Sequence, residues 1–153
     1  MHSVSRPPGV AFLLAQIGTE VSRRFGERLL PLGITAADAA CLRIVATAGP
    51  LNQRRLAHRL GIVPSRVVSL VDSLERRGLV ERRVARADRR SREVTLTGAG
   101  GELFGQLRTV AQAHQEEIAA GLDADEVAQL AGLLRRVAAA RGLSPDSQPG
   151  PGA

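Results

Sequence analysis

Apolar residues recur at helical spacing along most of this chain, and glycine or proline interrupts the pattern at short intervals. This periodicity constrains the fold more than any other feature of the sequence. The first periodic segment covers residues 10–30, with apolar side chains at steps of three and four: Leu14, Ile17, Val21, Phe25 and Leu29. That spacing is typical of a helix with one buried face, and Pro31 and Gly33 predict where it ends.

Capping signals predict where the next helices begin. Thr35 with Asp38 forms a capping box before a helix at residues 36–48, and Asn52 precedes a short helix at residues 53–60. Further helices are predicted at residues 64–78, at 98–121 after Thr97, and at 124–142 after a second capping box formed by Asp123 with Glu126. Glycines in the first turn of the fifth predicted helix should fray that turn: Gly98, Gly100 and Gly101.

A turn at Gly61 joins the third and fourth predicted helices, and the fourth is apolar on one side only. Two helices in this arrangement form a helix–turn–helix. After them, residues 79–84 and 93–96 have the composition of short strands, and the polar loop ARADRRSR joins them. The sequence therefore predicts a mainly α fold with a small β-hairpin, or wing, whose tip is rich in arginine.

The basic charge is concentrated in this same region. All 21 basic residues are arginines, and residues 52–92 hold 12 of them against four acids, a net charge of +8. The other nine arginines and 11 acids give the rest of the chain a net charge of −2. A localised positive field of this kind is typical of a surface that binds a polyanion such as nucleic acid.

Three stretches of this sequence resemble the MarR family of winged helix–turn–helix regulators: LAHRLGI at residues 56–62, LVDSLERRGLV at 70–80, and DRRSREVTLT at 88–97. The resemblance extends over one domain at residues 10–140. It implies a homodimer in which residues 10–33 and 98–141 supply the dimerisation helices and residues 35–97 form the DNA-binding lobe. We expect residues 1–9 and 143–153 to be flexible termini.

The helix from Pro64 would lie in the major groove of duplex DNA, with its first exposed residues at the base edges. The expected contacts are Ser65, Arg66, Val68 and Ser69. The family usually has small hydroxyl residues where Arg66 and Val68 stand, and arginine where Ser69 stands, so we expect Arg66 to take over part of the missing arginine's role. Arg54 and Arg55 are expected to hold phosphates, the alternative being a solvated surface.

The wing is expected to enter the minor groove, where negative potential is concentrated. Its candidate contacts are Arg86, Asp88, Arg89 and Arg90. The family's Asp-x-Arg pairing implies that Asp88 orients the Arg90 guanidinium. The alternative is that Asp88 stabilises the turn through a hydrogen bond to its own backbone.

The resemblance also implies further sites. The outer helices would form the dimer interface through Leu14, Ile17, Val127, Leu130, Leu134 and Val137. A small anionic or aromatic effector would bind between the lobes, near Phe12, Phe25, Cys41, Phe104 and His114. For His114 the alternative is a partly buried histidine with a satisfied hydrogen bond, and for Cys41 it is a small buried apolar residue.

The most direct interpretation is a homodimeric repressor that binds a pseudo-palindromic operator in double-stranded DNA and leaves it when an effector binds. A non-specific architectural DNA-binding protein, a redox-sensing regulator acting through Cys41, and a helical adaptor without DNA binding are the alternatives. No catalytic or cofactor motif and no metal-ligand spacing is present, so neither an enzyme nor a cofactor or metal site is expected. A single cysteine and the lack of a long apolar run predict a cytoplasmic protein, at the nucleoid when bound to its operator.

Overall fold

The computed structural model describes residues 8–86 and 88–143. Helix α1 (Val10–Leu29) runs into a 3-10 turn at Leu30–Leu32, and the other elements follow in the order α2 (Ala36–Ala48), α3 (Gln53–Leu60), α4 (Pro64–Arg76), β1 (Val80–Val84), β2 (Arg92–Leu96), α5 (Gly98–Ile118) and α6 (Ala124–Ala140). The fold class predicted from the sequence, mainly helical with one antiparallel hairpin, is confirmed. Ala87 and most of both predicted flexible termini lie outside the described residues.

The helices begin where local side-chain hydrogen bonds satisfy the first free backbone N–H groups. Thr35 with Asp38, and Asp123 with Glu126, both form complete capping boxes. Asn52 accepts a hydrogen bond from the Arg55 backbone N–H at 2.9 Å. Each such cap contributes about 1 kcal/mol to helix stability. The starts of α2, α3 and α6 were predicted from these caps and are confirmed.

The two strands pair from Val80 opposite Leu96 to Val84 opposite Arg92. Leu51, in the link between α2 and α3, adds a bridge to Val94 through two backbone hydrogen bonds. This bridge attaches the middle of β2 to the link between α2 and α3, so backbone hydrogen bonds hold the hairpin against the helices.

Two clusters of apolar side chains divide the core. The larger one joins α2, α3, α4 and the hairpin, and its fully buried members include Leu42, Leu56, Val67, Leu74 and Val94. The smaller one joins α1, α2 and α5 around Leu29, Ile34, Ala39 and Leu107. Helix α2 contributes to both clusters and is therefore the connection between the helix–turn–helix and the long outer helices.

The start of α5 corrects one prediction. Thr97 caps this helix by accepting a hydrogen bond from the Gly100 backbone N–H at 3.0 Å, and the helix begins at Gly98 without a frayed turn. Gly100 is buried against the Leu79 backbone, where an added Cβ would lie 1.9 Å from the Leu79 oxygen. A glycine is needed here because the two backbones approach each other closely. The absence of a side chain at Gly100 therefore stabilises the junction, whereas the flexibility of glycine was expected to weaken it.

The N-terminal half of α1 and all of α6 contribute little to this core. The only buried residue of α1 is Leu29, and no residue of α6 is buried. Among the described residues, no single helix has the length and apolar character to cross a membrane. One sharply bent pair, Val10–Leu32 with Ala36–Ala48, meets those two criteria only when taken together.

Candidate nucleic-acid interface

Helix α4 turns one face into the core and the other towards solvent. Val67, Val71 and Leu74 are buried, which leaves the predicted DNA contacts on the open face. All four of these are exposed: Ser65, Arg66, Val68 and Ser69. Ser69 donates its hydroxyl to the Ser65 carbonyl at 3.3 Å, so one of the two serine hydroxyls already has a partner within the helix.

Helix α3 precedes α4 and presents Arg54 and Arg55 in its first turn. Both are exposed. Among the described residues, neither guanidinium forms an ion pair. Two unpaired guanidiniums beside the exposed face of α4 have the charge and the freedom to contact phosphate groups.

Two hydrogen bonds that Asp88 accepts from backbone N–H groups close the wing tip. Its Oδ1 accepts a hydrogen bond from the Arg90 backbone N–H at 2.9 Å, and its carbonyl accepts one from the Ser91 N–H at 3.0 Å. In the described part of the chain no ion pair joins Asp88 to the Arg90 guanidinium. The alternative of a turn-stabilising bond is therefore what the structure shows. A short aspartate side chain reaches the N–H two residues on, and the guanidinium stays in solvent.

The exposed arginines of the wing are thus available for a ligand. Arg86, Arg89 and Arg90 are all exposed, as is Asp88. They lie on one loop whose ends are held by the hairpin and by the hydrogen bond from the Ala85 N–H to the Ser91 carbonyl, at 2.9 Å. The exposed guanidiniums give the tip of the wing a positive charge.

The sequence analysis did not identify Arg82, which connects the wing to α3 and α4. Its Nε donates to Gln53 Oε1 at 2.8 Å and its Nη2 to Asp72 Oδ1 at 2.5 Å, while Nη1 bonds Glu75. Burial alone would lower the pKa of Arg82, but the bonds to Asp72 and Glu75 outweigh it and raise that pKa. The only signal in the sequence was a pair of acids three residues apart on α4.

Arg77 forms a second link that the sequence did not suggest, at the other end of α4. It donates to Asp38 Oδ2 at 3.2 Å and to the Gly33 carbonyl at 2.6 Å. Asp38 also caps α2 through the Thr35 N–H. The C-terminal end of α4 is therefore tied to the start of α2, where the two core clusters meet.

The residues predicted to surround an effector do not all come together. Phe25 contacts His114 with the ring centroids 5.3 Å apart and the ring planes tilted by 36°, and Phe25 and Phe104 both pack against the smaller cluster. Phe12 is 61% exposed and lies 13 residues before Phe25, about 20 Å along the helix. Within a single protomer, Phe12 therefore lies apart from Phe25 and His114.

Cys41, another residue of the predicted effector site, lies in a different cluster from Phe25 and Phe104. It has no exposed surface and belongs to the larger core cluster. Burial, and to a smaller extent the nearby Asp38 charge, raises the pKa of this thiol to about 12. Because the thiolate is the reactive form, the burial and the raised pKa favour the alternative of a small buried apolar residue over that of a redox-sensing thiol.

His114 is a buried polar side chain without a partner. It is 8% exposed, and neither ring nitrogen forms a hydrogen bond with any described residue. The predicted alternative, a histidine whose hydrogen bond is satisfied, is therefore not found within the protomer. Buried polar atoms left unpaired are rare and costly, so this one calls for an explanation.

The three arginines of α1 form ion pairs with carboxylates, in contrast to Arg54, Arg66 and Arg90, which form none with the described residues. Arg24 and Arg28 both donate to the Glu117 carboxylate on α5. The hydrogen bond from Arg28 and, to a smaller extent, that from Arg24 lower the pKa of Glu117. Arg23 and Arg24 likewise lower the pKa of Glu20 to about 2. The charged side chains of α1 therefore have ion-pair partners within the protomer.

The predicted dimer contacts lie on the open surfaces of α1 and α6. Their exposed fractions in the single chain are 38% for Leu14, 53% for Ile17, 46% for Leu130, and 40% each for Leu134 and Val137; Val127 is half-buried. Large apolar side chains at this exposure on two long helices are typical of surfaces that another chain covers. No group of three or more possible metal ligands occurs among the described residues.

Comparisons with known proteins agree with this geometry. A MarR family model matches residues 32–91. A transcriptional regulator of the MarR family from Rhodococcus sp. RHA1 is 30% identical, with a TM-score of 0.73 over 84% of this chain and 91% of its own.

Two further solved structures were determined with ligands, and this chain is similar to both. A mutant MarR from E. coli complexed with operator DNA is 30% identical, with a TM-score of 0.74 over 84% of this chain and 92% of its own. CouR from Rhodococcus jostii RHA1, bound to p-coumaroyl-CoA, is 30% identical, with a TM-score of 0.76 over 89% of this chain and 96% of its own.

Proposed function

Because this chain belongs to the MarR family of DNA-binding transcriptional regulators, we propose that it is a homodimeric repressor released from its operator by a small anionic or aromatic effector. The proposal rests on the contrast between the arginines that form ion pairs and those that do not. Those of α1 are paired with carboxylates, whereas Arg54, Arg66 and Arg90 are exposed and form no ion pair within the described residues. Exposed guanidiniums on α3, α4 and the wing that form no ion pair favour a polyanion such as duplex DNA as the ligand.

Each part of the surface has a proposed role in this complex. The exposed start of α4 contacts bases in the major groove through Ser65, Arg66, Val68 and Ser69. Arg54 and Arg55 hold phosphates. The wing enters the minor groove through Arg86, Arg89 and Arg90, and Asp88 shapes the loop that carries them.

The second protomer would cover the exposed apolar faces of α1 and α6, so that residues 10–33 and 98–141 form the dimerisation lobe and residues 35–97 the DNA-binding lobe. A two-fold axis through this lobe would place two copies of α4 one DNA turn apart. A pseudo-palindromic operator is the expected partner of such symmetry.

The test is selection of genomic fragments by the purified protein, followed by measurement of Kd for a selected site and for a mixed-sequence duplex at one salt concentration. A regulator should prefer its own site by about a thousandfold or more. Equal affinity for both duplexes would instead support a non-specific architectural protein. Transcription from the selected promoter, with and without the protein, then tests repression.

His114 and Phe25 are the proposed centre of the effector site. A ligand that hydrogen-bonds a ring nitrogen of His114 would remove the cost of leaving it unpaired. One helical turn further along α1 and α5, an open cavity of about 320 Å³ is lined by charged side chains that include Arg28 and Glu117. The complex of CouR with p-coumaroyl-CoA supports an aromatic acid or its thioester as the ligand class.

The substitution His114→Leu separates ligand recognition from folding. Because it removes an unpaired buried polar group, we expect the variant to be as stable as the wild type or more so. With 4-hydroxybenzoate and p-coumaroyl-CoA as probes, wild-type protein should gain thermal stability and release its selected site, and the variant should do neither. Equal responses of both proteins would exclude His114 from the effector site.

A further inference from the structure

Arg82 lies where the wing, α3 and α4 meet, and its side chain is only 21% exposed. Three of its guanidinium nitrogens donate hydrogen bonds, to Gln53, Asp72 and Glu75. Its backbone N–H adds a fourth bond, to Glu75 Oε1 at 3.0 Å. One residue of β1 is therefore joined to the first turn of α3 and to the middle and end of α4.

The two carboxylates held by Arg82 lie on the helix that approaches DNA. Asp72 is three residues after Ser69, one turn along α4, and Glu75 is a further turn on. Their side chains are 46% and 39% exposed. Carboxylates so close to a duplex would repel its phosphates unless a positive charge compensates them.

We propose that Arg82 is a positioning residue for DNA binding: it neutralises Asp72 and Glu75, draws both towards the base of the wing, and so allows α4 to approach the phosphates. This inference rests on the proposed use of the open face of α4. Arg82 does not act as a phosphate contact, because its guanidinium is largely buried and each of its three nitrogens has a protein acceptor.

The neighbouring Arg83 is a matched control. It carries the same charge one position along the strand, but its side chain is 68% exposed and pairs only with Glu81. Arg82→Gln and Arg83→Gln therefore remove equal charge from the hairpin. Only the first leaves two carboxylates of α4 without a positive partner.

The experiment measures Kd by fluorescence anisotropy with a mixed-sequence duplex of about 30 base pairs, long enough for two half-sites one turn apart. We expect Arg82→Gln to weaken binding about tenfold, because like charges across the interface repel. Arg83→Gln should weaken it less than about threefold, as expected for an exposed, weakly coupled charge. Equal losses in the two variants would overturn the proposal.

A triple variant tests the mechanism directly. Asp72→Asn and Glu75→Gln remove the negative charges and keep acceptor oxygens in place. Combined with Arg82→Gln, they should restore Kd to within about threefold of the wild type if charge compensation is the role of Arg82. A triple variant as weak as Arg82→Gln alone would show that Arg82 contacts DNA itself or acts only through geometry.

Folding and the proposed function are tested separately. Circular dichroism and Tm report whether Arg82→Gln folds. If it does not fold, the proposal is tested instead with the double variant Asp72→Asn/Glu75→Gln, which keeps Arg82. That variant should bind at least as tightly as the wild type, and a tenfold loss would overturn the proposal. If wild-type protein itself shows no salt-dependent binding, the proposed function fails; if it binds and the triple variant does not recover, only the role of Arg82 fails.

Discussion

Gly100→Ala should destabilise this protein, although alanine is the better helix former. The new Cβ would lie 1.9 Å from the Leu79 carbonyl oxygen and 2.9 Å from its carbon. Both neighbours are backbone atoms, so a side-chain rotation cannot relieve the clash, and the start of α5 must move away from residues 78–79.

That movement has a cost that follows from the contacts at the junction. It stretches the bonds from the Thr97 N–H to the Leu79 carbonyl, at 3.2 Å, and from the Thr97 hydroxyl to the Gly78 carbonyl, at 2.5 Å. Two hydrogen bonds at about 1 kcal/mol each and about 2 kcal/mol for overpacking are offset by about 1 kcal/mol of helix propensity. The expected loss in the free energy of unfolding is about 3 kcal/mol.

Gly101→Ala is the matched control, because nothing lies within 4 Å of its added Cβ. It should stabilise the protein by about 0.5–1 kcal/mol. Urea and thermal unfolding of both variants measure the difference, at one protein concentration so that dimerisation contributes equally to both. We expect the two Tm values to differ by about 10 °C. The explanation of the α5 junction would be refuted by equal stabilities.

Four further outcomes follow from the structure. Arg90→Ala should weaken operator binding about tenfold or more in anisotropy titrations, and unchanged affinity would remove the wing tip from the interface. Arg54→Ala should reduce the slope of log K against log salt by about one; a changed base preference would contradict a phosphate contact. Leu134→Glu places a charge on an exposed apolar face of α6, so monomers are expected in sedimentation, and a persistent dimer would argue against this interface. Because burial raises the pKa of the Cys41 thiol to about 12, it should not react with a thiol reagent at about pH 8 until the protein is unfolded in guanidinium.

Much of this fold followed from interactions between residues close in sequence. Capping bonds span three residues, and the apolar stripe of a helix repeats every three or four, so the starts of α2, α3 and α6 were predictable. The same holds for the hairpin and for the concentration of arginine around it. The resemblance to the MarR family indicated a function for these segments, because the motifs of the family lie in them.

The candidate site was only partly predictable, because sequence identifies a residue but not its partner. Asp88 lies two residues from Arg90, and either the side chain or the backbone of Arg90 could have been its partner; the turn geometry selected the backbone. Cys41 and Phe12 both lie on helices that border the expected cleft. In the structure Cys41 is buried in the core, whereas Phe12 is exposed to solvent.

By itself, the sequence determined the number, type and order of the elements and the region where positive charge accumulates, since these depend on short-range periodicity, capping and composition. Only the tertiary structure decided which charges are neutralised and which backbones touch. Arg82 joins residues 29 positions apart in sequence, Arg24 pairs across 93 positions, and Gly100 packs against Leu79. Contacts of this kind depend on how whole elements are packed, so no local pattern records them.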